Sequence, residues 1–241
     1  MALLRTEEPI KAVDRAAGRL TVDVLGPLRV AVDGRPVAVT AGRLRALLGV
    51  LAMSAGRALP VDRLAAAVWD DEPPADPRRS LSTYVARLRA VLGAGAISTH
   101  VDGYALRVAP ERVDALRFGQ LLDAAATTAD AETRRARLTE ALALWRGEPF
   151  ADLRTRWLLR TEAPRLIERR LGAIEQRIDL DLAAGAVHDV VGELRELVDR
   201  HPLRESLWVR LLVALRRCGR PGRGAGGVRA DPPVSRRRDG R

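Results

Sequence analysis

The chain has 241 residues, a formal net charge of +10, and a hydrophobic fraction of 47%. This composition excludes a wholly disordered protein and gives enough material for one large or two small domains. The positive charge favours an anionic partner, although charge alone does not distinguish nucleic acid from a membrane surface.

The cysteine content and the hydropathy pattern together favour the cytoplasm. The single cysteine, Cys218, excludes an internal disulfide. No apolar run approaches the roughly 20 residues that a membrane span needs. Residues 1–19 contain charges and lack the continuous apolar stretch of a secretory signal, so we expect a flexible leader there and a cytoplasmic protein.

The first folded stretch, residues 20–39, is typical of short strands. The runs L-T-V-D-V-L and L-R-V-A-V alternate apolar and polar residues, and Asp33-Gly34 between alternating runs predicts a hairpin. Thr40 is predicted to cap a first helix. The apolar residues of that helix have the i, i+3, i+4, i+7 spacing of one buried face: Leu44, Leu47, Leu48 and Leu51.

A short second helix is predicted over residues 61–69, and an acidic loop leads from it to a third helix over residues 76–92. Asp76 suits the N-cap of this third helix and Pro77 its first position. At about 100° per residue one narrow stripe is apolar, and we expect it to face the core. The stripe consists of Leu81, Val85, Leu88 and Leu92, with Tyr84 and Val91 on its shoulder.

The opposite face of the third helix carries arginines and small residues, and it contains no carboxylate after Asp76. Small residues allow a helix to enter the major groove, while hydroxyl and guanidinium groups reach base edges and flanking arginines neutralise phosphates. The alternative is an ordinary amphipathic helix with a solvated basic face. The residues of this face are Arg79, Ser82, Thr83, Ala86 and Ala90, with Arg87 and Arg89 on its flanks.

The runs A-I-S-T-H-V and Y-A-L-R-V, joined by Asp102-Gly103, predict a second hairpin directly after the basic helix. Strands, three helices and a closing hairpin are the order of a winged helix-turn-helix, in which this hairpin is the wing. The fold class that we expect is therefore mainly α with small β-hairpins.

At this point the chain resembles a known family. The motifs L-G-P-L-R-V, R-L-R-A-L-L, V-D-R-L…V-W-D-D-E-P-P, L-S-T-Y-V-A-R-L-R-A-V-L and D-G-Y-A-L-R-V occur in unbroken order. They are similar to the OmpR-type DNA-binding domain of the Streptomyces antibiotic regulatory protein family. The resemblance assigns residues 20–110 to a winged-helix DNA-binding domain.

Residues 111–218 are expected to form an all-α, tetratricopeptide-like domain that resembles the bacterial transcriptional activator domain of the same family. The motifs A-L-A-L-W-R-G-E-P-F and H-P-L-R-E-S-L-W-V-R-L-L-V-A-L-R-R-C-G-R support this assignment. Apolar residues at helical spacing predict four helices. These residues are Leu138, Leu142 and Trp145; Ile167, Leu171, Ile174, Ile178 and Leu182, with Pro164 in a first turn; Val190, Leu194, Leu197 and Val198; and Leu207, Trp208, Leu211, Leu212 and Leu215.

The position of each basic or hydroxyl-bearing residue predicts whether it contacts a base or a phosphate. Base-facing residues are predicted on the outer face of the third helix: Arg79, Ser82, Thr83 and Arg87. Phosphate contacts are predicted where a DNA backbone would pass, at Arg78, Arg89 and Arg107.

Residues 219–241 depart from the family pattern. They hold seven arginines against two aspartates, which is half of the net charge, and six glycines with three prolines but no leucine. Such a segment cannot bury a helix face, so it is expected to be a disordered basic tail. The alternative is a frameshift, since the codons are compatible, in another frame, with the helix that the family pattern places there. In either case the helical domain is expected to be truncated, and the last helix to lack a partner on one side.

The residue types that mark catalysis or metal binding are absent or scattered. The histidines, His100, His188 and His201, have no ligand neighbours at zinc spacing, and no P-loop motif is present. Cys218 has no catalytic base or resolving cysteine beside it. We expect no enzyme, no metal and no cofactor.

Two functions remain. The first is a sequence-specific transcriptional activator, and the resemblance implies binding to directly repeated sites near promoters of a secondary-metabolite gene cluster, head-to-tail association on DNA, and contact with RNA polymerase. The second is a helical-repeat module whose winged helix mediates protein contacts. Exposed apolar anchors on the third helix would favour the second function, and the sequence has none there.

Overall fold

The computed structural model describes residues 20–70 and 72–219, and both the expected leader and the expected basic tail after Gly219 lie outside this part. The described chain is mainly helical and contains two small antiparallel sheets, which confirms the predicted fold class. By packing it divides into two compact units, the first reaching Leu180 and the second beginning at Asp181. No helix in the described part is long and apolar enough to cross a membrane.

The strands are β1 Thr21–Asp23, β2 Arg29–Val32, β3 Arg35–Pro36, β4 Leu59–Pro60, β5 Ile97–Thr99 and β6 Gly103–Leu106. The helices are α1 Gly42–Met53, α2 Val61–Trp69, α3 Pro77–Leu92, α4 Asp114–Ala126, α5 Ala131–Ala143, α6 Ala163–Ala183, α7 Val187–Arg200 and α8 Glu205–Cys218. A π-helical turn, Leu158–Glu162, precedes α6.

The first sheet has the order β1-β2-β3, and the predicted hairpin joins β2 to β3. Both turn residues have positive φ, 51° at Asp33 and 76° at Gly34. Two consecutive residues in this region give the two-residue turn whose twist matches the flanking strands. The Asp-Gly pair therefore fixes this register.

Helix α1 begins later than predicted, and the prediction of Thr40 as its cap is wrong. Val39 is buried and the chain stays extended through Ala41, which occupies the N-cap position without a capping side chain. Thr40 is thus one residue too early to cap. The four leucines predicted to be buried are all buried: Leu44, Leu47, Leu48 and Leu51.

The second sheet has the order β4-β6-β5 and forms the wing. The β5–β6 hairpin is as predicted, but β4, a two-residue strand, was not predicted. A Cβ added at Gly103 would lie 1.8 Å from the carbonyl oxygen of Leu59. Only glycine allows β4 to approach β6 this closely, so Gly103 attaches the wing to the segment that leads into α2.

Beyond the wing, the predicted helices are present with one correction. Helix α5 ends at Ala143, so Trp145 lies past the helix that it was predicted to mark. Its ring instead packs edge-on against Phe118, with centroids 5.4 Å apart. An apolar residue at position 145 is therefore explained by this aromatic contact and not by the periodicity of α5. Pro164 is the second residue of α6, but the helical backbone already begins at Arg156 and continues through the π-helical turn, so the proline lies inside a continuous helical stretch and not in a first turn as predicted.

The apolar core of the first unit continues from the winged-helix elements into the helical segment. A single cluster of buried residues includes members from Leu20 to Leu166. The apolar packing continues across residues 110 and 111, so the domain boundary predicted there stays a prediction.

Asp114 at the start of α4 is the polar centre of this continuous packing. Its carboxylate accepts hydrogen bonds from the backbone N–H groups of Val24 (2.7 Å), Leu25 (2.9 Å) and Ala115 (2.7 Å). A nitrogen of Arg146 lies 3.5 Å from the same carboxylate. Asp114 thereby satisfies the backbone at the end of β1 and connects it to α4.

A second link joins the helical segment to α1. A Cβ at Gly49 would lie 2.6 Å from a methyl group of Leu153 and 3.1 Å from one of Leu158. Glycine inside a helix costs stability, but here it allows two leucines to pack directly on the α1 backbone. The backbone N–H of Arg156 also donates to Asp70 at 3.0 Å, beyond the end of α2.

In the second unit α7 packs against α8, and the predicted inward residues of α7 are all buried: Val190, Leu194, Leu197 and Val198. On α8, Leu207 and Leu211 are buried as predicted, whereas Leu215, predicted on the same face, is 38% exposed, because Ala214 rather than Leu215 continues the buried side of the helix. The larger apolar residues outside the buried side form an exposed face: Trp208, Val209, Leu212, Val213 and Leu215.

We predict that Asp114→Asn lowers the free energy of unfolding by about 1 to 3 kcal/mol at neutral pH, because an amide presents one acceptor oxygen where the carboxylate presents two. Burial, opposed by the N–H groups of Val24 and Leu25, raises the pKa of Asp114 from 3.8 to about 6. The native state therefore holds this proton more tightly than the unfolded state. The stability it contributes is complete below pH 3.8 and is lost as the pH rises through about 6.

Asparagine has no such titration, so the stability difference between the wild type and Asp114→Asn should narrow as the pH rises from about 4 to 7. Urea denaturation of both proteins across this range measures the difference directly. A difference that does not change with pH would show that the carboxyl group is not held in the way described.

Candidate nucleic-acid interface

Helix α3 is positioned by its cap and by its buried stripe. The side chain of Asp76 accepts a hydrogen bond from the backbone N–H of Arg79 at 2.9 Å, and Pro77 occupies the first position, as predicted. The predicted inner residues are all at most 4% exposed: Leu81, Val85, Leu88 and Leu92. Because this stripe is fixed in the core, the opposite face of α3 must point outward.

The two residues predicted on the shoulder of the stripe differ in burial. The Tyr84 ring stacks on Trp69 of α2, with centroids 5.6 Å apart, which holds the tyrosine away from the outer face. Val91, two turns further along the same shoulder, is 42% exposed and contributes little to the core.

The outer face brings together all four predicted base-facing residues, which are exposed: Arg79, Ser82, Thr83 and Arg87. The hydroxyl of Thr83 donates to the backbone carbonyl of Arg79 at 3.1 Å. Its proton is therefore used within the helix, and its oxygen remains an acceptor for the amino groups that adenine and cytosine present in the major groove. Arg78 is also exposed, one residue before Arg79.

Arg89 is held within the protein. Its guanidinium donates from Nε (3.0 Å) and Nη2 (2.8 Å) to the carbonyl oxygen of Ile97, and from Nη2 to the hydroxyl of Thr99 at 2.8 Å. Ile97 and Thr99 are in β5, the first strand of the wing. Arg89 thus joins the end of α3 to the wing, a contact that the sequence analysis missed because it predicted Arg89 from the helix face alone.

Arg107 lies at the base of the wing. Its backbone N–H donates to Ala96 at 2.8 Å, just outside the β5–β6 pairing, and its side chain is half-buried. The wing tip is at the other end, where Val101 is 98% exposed. The structure therefore separates Arg107 from the wing tip, whereas Arg78 is exposed in the first turn of α3, one residue before Arg79.

The wing tip has its own polar group. Ser98 Oγ and His100 Nε2 are 3.0 Å apart, and His100 is exposed beside the turn. Of the three histidines, His100 is the one that belongs to the first unit. Within residues 20–70 and 72–219, no cluster of three or more histidine, cysteine or acidic side chains could hold a metal ion.

Two family models match the chain. A model described as "Transcriptional regulatory protein, C terminal" matches residues 34–106, and one described as "Bacterial transcriptional activator domain" matches residues 113–224. The first match contains α1 to α3 and the wing, and the second begins immediately before α4.

Several regulators are similar over most of the chain. The regulatory protein DnrI of Streptomyces peucetius is 33% identical over 83% of this chain and 79% of its own length. The regulatory protein AfsR of Streptomyces coelicolor is 38% identical over 87% of this chain but only 21% of its own length. The chain thus spans most of one relative and a fifth of the other.

A solved structure of Mycobacterium tuberculosis EmbR, in complex with a low-affinity phosphopeptide, has a similar fold. It aligns with a TM-score of 0.78 and 31% identity, over 83% of this chain and 55% of EmbR. The family models and relatives describe transcriptional regulators and not enzymes. The chain belongs to the Streptomyces antibiotic regulatory protein family, with an OmpR-type winged helix followed by a bacterial transcriptional activator domain.

Proposed function

We propose that this protein is a sequence-specific DNA-binding activator of transcription that inserts α3 into the major groove. The observation that carries the proposal is the outer face of α3, where Arg79, Ser82, Thr83 and Arg87 are exposed together and no carboxylate opposes them. These side chains supply both donors and acceptors for base edges, and the neighbouring alanines leave room for close approach.

The regulated promoters are proposed from the family. The protein binds directly repeated sites near promoters of a secondary-metabolite gene cluster, as a cytoplasmic, pathway-specific activator. Direct repeats require protomers in the same orientation, so the proposed association on DNA is head to tail. DNase footprinting of the protein on its own promoter neighbourhood tests this arrangement. Protection of two or more repeats in one orientation is expected, and uniform protection of unrelated DNA would contradict sequence-specific activation.

The exposed apolar residues of α8 support a protein partner in addition to the DNA proposed for α3. Trp208, Val209 and Leu212 are 44%, 60% and 64% exposed. Apolar groups grouped on one helix face mark contact surfaces more often than isolated ones do. We propose that this face contributes to contact with RNA polymerase or with a neighbouring protomer. The alternative function, a protein-interaction module with no DNA target, shares this face but leaves the basic surface of α3 unexplained.

Substitutions on the outer face of α3 test base readout. Thr83→Ala or Arg79→Ala should weaken binding to the specific site by about 1 to 3 kcal/mol and leave binding to unrelated DNA nearly unchanged. Thr139→Ala is the matched control, because Thr139 on α5 makes the same hydrogen bond to the carbonyl four residues earlier, at 2.9 Å. Fluorescence anisotropy with specific and scrambled duplexes measures both affinities. Equal losses on the two duplexes would refute base readout.

The salt dependence of binding separates the roles of Arg78 and Arg89. If Arg78 contacts a phosphate, Arg78→Ala should reduce the slope of log K against log salt by about one unit, and Arg78→Lys should restore it. We propose that Arg89 mainly positions the wing. Arg89→Ala should then weaken binding with little change in slope, and Arg89→Lys should not restore it, because lysine lacks the planar fork that holds Ile97 and Thr99.

The same salt titration tests Arg107, for which a phosphate contact stays a proposal. A slope that falls by about one unit for Arg107→Ala would support the contact. Recovery of wild-type binding by Arg89→Lys, with a reduced slope for Arg89→Ala, would show instead that Arg89 acts as a phosphate contact.

A further inference from the structure

A broad groove lies beside the wing, between winged-helix elements and the start of α6. Its lining includes Arg57, Arg63, His100, Trp157, Glu162 and Arg165, and its volume is about 1100 Å³. Clefts and cavities that bind small ligands occupy roughly 300 to 1,000 Å³. The volume of this groove lies at the upper end of that range, so the groove has room for a partner larger than a small molecule. We refer to it as the wing groove.

The charge of the wing groove is mainly positive. Three arginines and His100 line it, and Glu162 is the one carboxylate among its described lining residues. Glu162 lies 3.5 Å from Arg165, but the Arg165 side chain remains 71% exposed. Exposed ion pairs of this kind are weak, so Arg165 can still approach an external anion. Arg57 and Arg63 are exposed too.

The wing groove is adjacent to the candidate DNA interface. The backbone N–H of Val61, the first residue of α2, donates to the carbonyl of Asp102 in the wing turn at 2.9 Å. Arg63 is two residues further along α2, and His100 begins the wing turn itself. One edge of the groove is therefore the wing, which follows α3 in the chain and is joined to it by Arg89.

Packing on α1 holds the far edge of the groove in place. Leu153 and Leu158 contact α1 at Gly49, and Leu158 is the first residue of the π-helical turn that leads into α6. Trp157 is half-buried against the same core. Arg165, near the start of α6, is consequently presented from a fixed element rather than from a loop.

We propose that the wing groove binds the phosphate backbone of the same DNA duplex, beyond the major-groove site on the wing side, and that Arg57, Arg63 and Arg165 provide the contacts. A duplex that has α3 in its major groove extends past the wing, and its phosphates complement the charge of the groove. The activator domain then contributes to DNA binding through Arg165. This inference depends on the proposed DNA-binding function.

The test uses the full chain with three duplexes, one short and two long, that carry the same footprinted site. The short duplex ends at the edge of the site, and the long ones extend by about ten base pairs, one helical turn, on one side or the other. The groove variant is Arg57→Ala/Arg63→Ala/Arg165→Ala. The charge-matched control is Arg29→Ala/Arg35→Ala/Arg117→Ala, at exposed arginines that do not line the groove.

For the wild type, extension on one side only should tighten binding and steepen the salt dependence. The groove variant should lose this gain, with a slope on the long duplex lower by about two to three units, and should match the wild type on the short duplex. The control variant should keep the gain. Lysine at all three groove positions should restore the slope, which shows that the loss is one of charge and not of folding.

Equal behaviour of the groove variant and the control on the long duplex would overturn the inference, and so would a wild-type affinity that does not depend on flank length. Failure of the wild type to prefer any site would instead refute the proposed function. That outcome is visible without the variants, so the two failures are distinguishable.

Discussion

The interface depends on one constraint, the burial of a narrow apolar stripe on α3. Leu81, Val85 and Leu88 are at most 1% exposed, and rotating the helix would bring them into water at a cost of about 2 kcal/mol each. The rotation of α3 is therefore fixed by the core, and the direction of its basic face follows without any contact on that face. Asp76 fixes the start of the helix, and with it the residue from which the outer surface begins.

Two glycines, Gly103 and Gly49, allow neighbouring elements to pack directly against the winged helix. Gly103 lets β4 join the wing sheet, and Arg89 connects that sheet to α3 through hydrogen bonds to β5. Gly49 lets the helical segment pack on α1, and Asp114 joins the same segment to β1. The activator segment up to Leu180 is thus part of the same packed unit as the winged helix.

The sequence predicts the elements whose signals are local. Periodicity gives α1 to α3 and their buried residues, and the Asp-Gly pair gives the first hairpin, because spacing and turn chemistry depend on neighbours in the chain. It fails where the cause is distant in sequence. Strand β4 can pair with β6 only because residue 103 is glycine. Trp145 packs against Phe118, which is distant in the sequence, rather than on a face of α5. The guanidinium of Arg89 is hydrogen-bonded to Thr99 in the wing, which helix periodicity does not indicate. The exposed residues of the site follow from the helix face, whereas their contacts with DNA stay predictions.

The central claim is that α3 reads the major groove, and methylation interference on the footprinted site tests it most directly. Guanine N7 lies in the major groove, whereas adenine N3 lies in the minor groove. We expect methylation of guanine N7 within each repeat to prevent binding, since Arg79 and Arg87 are the donors that would approach it. Interference only at adenine N3, or at neither position, would show that the outer face of α3 does not read the major groove.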